Sequence, residues 1–284
     1  MMFHRAKPAL VLTVILCASA SAGAADLDNI LYAPELPNTV PVEIGSGWYL
    51  RGDVGYNVSF NGSASSYRVF DPWSWDYYDQ PYSSASFDSD FTWGIGAGYQ
   101  FTDWFRAEAM FNAFGGGFSG SGSSGSPCIT PPGGPLGTGC YTSGEADFTT
   151  RAGMINGYFD LGTYAGFTPY IGAGAGMTYV NYSNYISGDA CVDGIADCAG
   201  ATFGSQYHKG LGSWRFTYAL MAGLAYDITK NLKADVGYRF TDIASGDMYS
   251  YDTNSIGWGA SGTQSSDDGF TSHEIRFSLR YSLW

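Results

Sequence analysis

The side chains with chemistry to offer fall into three sets. The first is twelve charged residues, Arg51, Asp53, Arg106, Glu108, Arg151, Arg215, Lys233, Asp235, Arg239, Glu274, Arg276 and Arg280, which carry both signs and alternate with apolar or small neighbours. Interleaved guanidiniums and carboxylates can pair into a lattice that fills a narrow space, or they can line a charged channel. The second is an aromatic and acidic stretch in which Trp73, Trp75, Tyr77 and Tyr78 mix with Asp71, Asp76 and Asp79. Rigid rings beside carboxylates suit recognition of a sugar or a host protein, while packing over an apolar surface is the plainer role. These aspartates lack the spacing of a calcium loop. The third is Cys128, Cys140, Cys191 and Cys198, which allow three pairings. Each close pair lies within one Gly/Ser-rich or Asp-rich stretch, so local disulfides Cys128–Cys140 and Cys191–Cys198 are expected in an oxidising compartment. Neither pair has CxxC spacing or a flanking His, so no metal is expected.

Catalysis finds little support. Ser272, His273 and Glu274 are consecutive, but in an extended strand alternation turns His273 away from both neighbours, so the three cannot form a triad. His208 has no evident partner in sequence. The GIGAG and GAGAG runs lack GxGxxG spacing and a following helix, so they read as strand glycines and not as a phosphate loop. No enzyme activity and no cofactor are expected, and a lipase or protease is a weak alternative resting on this constellation alone.

What must position these residues is a set of strands. From Phe91 to Phe101, Phe91, Trp93, Ile95, Ala97, Tyr99 and Phe101 share one face and polar or glycine residues the other, a period of two. Bulky aromatics end the apolar face on both sides, as a membrane-spanning strand of about ten residues requires. The same scheme recurs. Trp48, Leu50, Val54, Tyr56 and Val58 oppose Arg51, Asp53 and Asn57; Phe105, Ala107, Ala109, Phe111 and Ala113 oppose Arg106, Glu108 and Asn112. The fourth strand, about 146–160, is less regular; its charges place Asp147, Thr149 and Arg151 inward and Phe148, Ala152, Met154 and Tyr158 outward. Ile171 to Tyr179 alternates with Gly172, Gly174 and Gly176, and Trp214 to Tyr226 with Arg215, Thr217, Gly223 and Asp227. Leu232 to Phe240 alternates with Lys233, Asp235 and Arg239, and His273 to Leu283 with Glu274, Arg276, Ser278 and Arg280.

These eight strands are joined alternately by turns of a few residues and loops of about thirty, far above ordinary hairpin lengths. The expected fold is all-β: an eight-stranded antiparallel up-and-down transmembrane β-barrel with long extracellular loops near 59–89, 115–145, 183–213 and 242–270. An eight-stranded barrel is wide enough only for side chains to fill it. The charged set therefore reads as an ion-pair plug before it reads as a pore, with inward glycines giving the room. At the N-terminus His4, Arg5 and Lys7 precede an apolar run from Ala9 to Ala18 and then small residues to Ala25, the pattern of a signal peptide. Cys17 lies inside the apolar run, against a lipoprotein reading. The expected division is a signal peptide over 1–25, an extended periplasmic segment over 26–45 carrying Pro34, Pro37 and Pro41, and the barrel over 46–284. A net charge of −13 excludes a nucleic-acid partner, which needs a basic footprint, and leaves membrane residence open.

Taken together, WYLRGDVGY (48–56), FTWGIGAGYQFTDWFRAE (91–108), NGYFDLGTYAGFTPYIGAGAGMTY (156–179) and NLKADVGYRF (231–240) resemble the small outer-membrane β-barrel proteins of alphaproteobacteria, the "porin family" within the OmpA-like transmembrane superfamily. The resemblance covers the barrel and not the loops, and it brings no catalytic residue. It implies residence in the outer membrane of a Gram-negative bacterium, contact with lipid and lipopolysaccharide, and insertion by the barrel-assembly machinery. One residue departs from it: the family's terminal aromatic continues the outward series, whereas Trp284 is in phase with Ser282 and Arg280. The function expected is a structural, surface-exposed barrel with a filled lumen. Alternatives are a passive small-solute porin, an adhesin taking a host protein or glycan through its loops, and a soluble ligand-binding barrel.

Overall fold

Period-two alternation in the sequence becomes period-two burial in space. In the computed structural model, which describes residues 47–127, 139–191 and 202–283, the strands are β1 (Trp48–Gly62), β2 (Ser66–Asp71), β3 (Asp76–Pro81), β4 (Ser84–Asp88), β5 (Phe91–Thr102), β6 (Phe105–Pro127), β7 (Gly139–Asp160), β8 (Phe167–Tyr182), β9 (Tyr185–Cys191), β10 (Thr202–Gly210), β11 (Gly212–Asp227), β12 (Leu232–Ile243), β13 (Gly246–Asp252), β14 (Thr263–Asp267) and β15 (Phe270–Ser282), with one short helix, α1 (Thr253–Gly257). Eight of these, in the order β1-β5-β6-β7-β8-β11-β12-β15 and back to β1, pair antiparallel with their neighbours and close a barrel. Closure leaves no unpaired edge in the ring, as a β-structure in lipid requires.

The outward face is apolar, with Leu50, Val54, Ile95, Ile171, Leu220, Phe277 and Leu279 all exposed. It is bounded by rings at both ends. Near the short turns, Trp48 meets Tyr99 (5.3 Å between centroids), Trp104 stacks on Phe159 (5.8 Å) and Phe167 meets Tyr226 (4.7 Å). At the other end Tyr56 meets Phe91 (5.4 Å) and Tyr179 meets Trp214 (5.2 Å). These are two aromatic girdles around an apolar band. No described helix is long and apolar enough to cross a membrane, which says nothing of a barrel.

Two expectations are corrected. In β7 the phase is opposite to that read from its charges: Phe148, Thr150, Ala152, Met154, Asn156 and Tyr158 are buried inside, while Asp147, Thr149 and Arg151 are exposed. The pairing Arg151↔Tyr179, with Tyr179 opposite Trp214, sets Arg151 on the outside at the level of the distal girdle. A long cation can reach headgroups from there, so facing outward carries little penalty. The second correction concerns the long connections, which are largely strands themselves. β6 and β7 stay paired from Phe105↔Phe159 out to Pro127↔Gly139. Beyond the girdle, β9, β10, β13, β14, β2 and β3 continue the sheet from β7, and β4 adds to β6.

Residues 1–46, 128–138, 192–201 and 284 lie outside the described residues. The signal peptide, the 26–45 segment, Cys128, Cys198 and Trp284 fall there, so the proposed local disulfides do too. The described backbone sets Cys140 opposite Cys191 in the pairing of β7 with β9.

Candidate functional site

Inside the barrel, the inward positions of β1, β6, β12 and β15 bring charges of both signs to one axis. Arg51 lies opposite Arg280 in register, and the repulsion of that pair is offset by carboxylates on both sides. The Arg51 guanidinium reaches Glu108 at 2.9 Å and Asp53 at 3.4 Å and donates to Ser278 Oγ at 2.8 Å. Arg280 makes a two-pronged contact with Asp235, at 2.9 and 2.8 Å. Arg276 bridges Asp53 (2.8 Å) and Glu274 (2.5 Å), and Arg106 binds Asp160 at 3.2 Å with Glu108 at 4.0 Å. Arg215 pairs with Asp267 at 2.7 Å. Lys233 pairs with Asp227 at 2.9 Å, partly exposed near a turn.

Eleven of the twelve charges read from sequence thus face inward, and Arg151 does not. Arg239 is the exception in kind: among the described residues it has no carboxylate partner, donating instead to Asn112 Oδ1 (3.1 Å) and Met154 Sδ (2.7 Å). Asn112 Oδ1 also accepts from Arg276 at 3.0 Å, joining the two guanidiniums through one acceptor. Tyr158 carries the cation of Arg106 on its ring, 4.1 Å from the centroid, with Tyr170 at 5.0 Å, a contact strengthened by desolvation. The inversion of β7 hid Tyr158 from sequence reasoning. Tyr49, which donates to Glu108 at 3.2 Å, was legible as an inward position two residues before Arg51. Glycine makes the room: a Cβ on Gly55 would collide with the Glu274 carboxylate, and one on Gly94 would meet Asp53 Oδ1 at 2.6 Å.

Above this layer buried aromatics pack into one cluster. Phe148 and Phe270, 1% and 2% exposed, stack at 5.2 Å and 8°. Phe60 and Phe87 pack against both, and Phe118 meets Phe87 at 4.7 Å. These come from five elements or their connections, which is why no single stretch of sequence announced them.

The aromatic and acidic stretch forms the β2–β3 hairpin. Its tip carries Trp73, 94% exposed, and Trp75, which adopts φ +60° and lays its ring against Gly259. Tyr77 is inside the hairpin's packing, with Phe70 at 5.1 Å, the Arg68 guanidinium 4.5 Å from its ring, and its hydroxyl accepting from the Ser261 amide at 3.0 Å. Tyr78 is exposed. The four residues do not converge on one another. What does converge beneath them is a group that sequence reasoning passed over: Tyr185 and Tyr249 stack at 4.4 Å, and His208 lies 5.5 and 5.4 Å from their centroids. They belong to β9, β13 and β10, so only sheet pairing brings them together. Among the described residues no His, Cys, Asp and Glu cluster has the form of a metal site.

Comparison with known proteins agrees with this architecture. Residues 9–263 match the model of the outer membrane protein beta-barrel domain. A protein of the alphaproteobacterium Brucella abortus (strain 2308) is 32% identical over 297 residues, covering 98% of this chain and 99% of that protein. Among solved structures, Neisserial surface protein A is similar with a TM-score of 0.43 at 14% identity, covering 84% of this chain and 98% of that one. OprG from Pseudomonas aeruginosa gives 0.40 at 14% identity, covering 84% and 97%. A closed eight-stranded ring, two aromatic girdles and a family match over most of the sequence lead to one conclusion: this chain belongs to the outer-membrane β-barrel protein family and resides in the outer membrane.

Proposed function

We propose that the protein is a non-conducting barrel whose work is structural and surface-exposed, with a lumen filled by paired side chains and no enzyme activity. The observation that carries this reading is the Phe148–Phe270 stack across the mouth, seated over the buried ion pairs. A hydrated ion would have to displace close-packed rings and then break guanidinium–carboxylate pairs in a space only as wide as its own side chains. The strands beyond the distal girdle present the protein's surface to the exterior, in contact with lipopolysaccharide.

Reconstitution into planar bilayers tests the reading. A quiet membrane is expected at all salt concentrations, and Phe148→Ala combined with Phe270→Ala is the variant most prone to leak. Stable ohmic steps from the native protein, with conductance scaling with salt, would replace the plug with a pore.

A further inference from the structure

Above the aromatic closure, the extracellular strands enclose a cavity of about 260 Å³, just under the ~300 Å³ at which pockets for drug-sized ligands begin. We propose that this cavity binds a neutral saccharide, taking one sugar ring from the exterior. It is a site separate from the lumen and independent of whether the lumen conducts.

Its walls are of two chemistries. One is aromatic: Tyr67, Tyr78, Tyr82, Tyr185, Tyr249 and Tyr251 all line it. The floor is a rigid shelf, because the stacked Tyr185 and Tyr249 rings are held by further bonds. Tyr82 is hydrogen-bonded to the Tyr249 hydroxyl and to Ser265 Oγ, the latter at 3.0 Å, and Tyr67 packs on Tyr82 at 5.0 Å. Above that buried shelf, half-buried Tyr67 and exposed Tyr78 supply the accessible ring surface of the cavity, apolar contact at low entropic cost that suits the C–H face of a pyranose.

The other chemistry is neutral and bifunctional. Gln80, Gln206 and Gln264 line the cavity together with Ser187 and Thr142, and amides and hydroxyls both donate and accept, as sugar hydroxyls do. His208 is locked between Ser187 Oγ (3.0 Å to Nε2) and Gln264 Oε1 (2.7 Å to Nδ1). With its Oε1 accepting from the imidazole, Gln264 keeps an amide N–H₂ to offer a ligand. Tyr251, 1% exposed, also lines the cavity, and its hydroxyl is a buried group with no hydrogen-bond partner among the described residues.

Charge decides the ligand class. No Lys or Arg lines the cavity, and Asp252, the single carboxylate, is already engaged: it accepts from the Asn254 and Ser255 amides at 2.8 and 3.1 Å and from Ser255 Oγ at 2.5 Å. A sulfated or phosphorylated ligand would enter without a counter-charge, and a cation would find its carboxylate occupied.

The test uses the full refolded protein in lauryldimethylamine oxide, a detergent without a sugar headgroup, titrated with the methyl glycosides of glucose, galactose, mannose and N-acetylglucosamine. Saturation-transfer NMR reports contact and calorimetry reports affinity. At least one neutral glycoside should bind saturably, with ring protons receiving more saturation than the methyl group. Gln206→Ala and Tyr78→Ala, both at exposed positions, should each weaken binding roughly tenfold, the loss of about one good contact. Trp73→Ala, at the hairpin tip away from the cavity, should leave it unchanged. Heat-modifiable gel migration identifies any variant that has not folded. Absence of saturable binding by all four glycosides overturns the proposal. So does tighter binding of sucrose octasulfate or choline, or binding that survives both rim substitutions.

Discussion

The pairing of Arg280 with Asp235 offers the sharpest test of a filled lumen, because the two competing readings assign it different energies. Arg280 and Asp235 are 5% and 4% exposed, meet through two bonds at 2.9 and 2.8 Å, and Arg280 has no second carboxylate within ion-pair distance among the described residues. If the lumen is dry and packed, Asp235→Ala strands a buried guanidinium, and such orphaning costs about 3–5 kcal/mol. If the lumen is an aqueous channel, water solvates Arg280 and the loss falls to the roughly 0–1 kcal/mol of an exposed pair. Asp235→Leu with Arg280→Met removes both charges while keeping apolar volume, and replacing a buried pair in this way is commonly neutral or stabilising. Reversible urea unfolding in phospholipid vesicles, followed by tryptophan fluorescence, gives the free energies from midpoint and slope. The expected order is native and double variant close together, single variant well below both. A single-variant loss under about 1 kcal/mol, or a double variant no more stable than the single one, would refute the packed-lumen reasoning.

Ile95 is exposed on the outer face of β5, so Ile95→Arg should cost about 2–4 kcal/mol in the same unfolding assay if that face meets the lipid midplane; no measurable loss would contradict the assignment. The phase of β7 is tested by contrast: Arg151→Gln, outside, should stay within about 0.5 kcal/mol of native, whereas Arg106→Gln, inside and 0% exposed, should cost about 3 kcal/mol or more. At the extracellular end, burial raises the proton affinity of Asp252, but hydrogen bonds from Ser255 and Asn254 outweigh it and hold the carboxyl below its ordinary 3.8. A depressed carboxyl stabilises its folded environment fully above the ordinary value and loses that contribution as pH falls through the lowered one. Amide exchange at Asn254 and Ser255 should therefore be protected above pH 3.8 and accelerate only under more acidic conditions; a pH-independent protection would show that the cap on α1 does not depend on ionisation. Finally, Cys140 lies opposite Cys191 in register, a placement at which antiparallel neighbours are close enough for a cross-strand disulfide. Peptide mapping of the non-reduced protein should find this link, and a Cys128–Cys140 peptide would restore the local pairing.

The sequence by itself determined the barrel. Alternation such as Phe91 to Phe101, with aromatics ending the apolar face and glycines on the other, marks a barrel strand, and seven of the eight spanning strands kept the faces that alternation assigned. The eighth was misread because its one cation, Arg151, was taken as a marker of the lumen. Charge alone does not distinguish an inward position from an interfacial one; the height of the residue on the wall does, and height follows from register with Tyr179 and Trp214. The charged set was legible as a set, while its pairings were not. Glu108 joins Arg51 from a strand 57 positions away, and Asp267, which pairs with Arg215, sits in what the sequence presents as a loop. The extracellular cavity was invisible for the same reason in stronger form. Tyr249, His208 and Tyr185 each look unremarkable in their own segments, and only the pairing of β9, β10 and β13 beyond the membrane closes them around one space. Local periodicity fixes which face of a strand a side chain takes; which side chains meet across that face depends on registers set by the whole closed sheet.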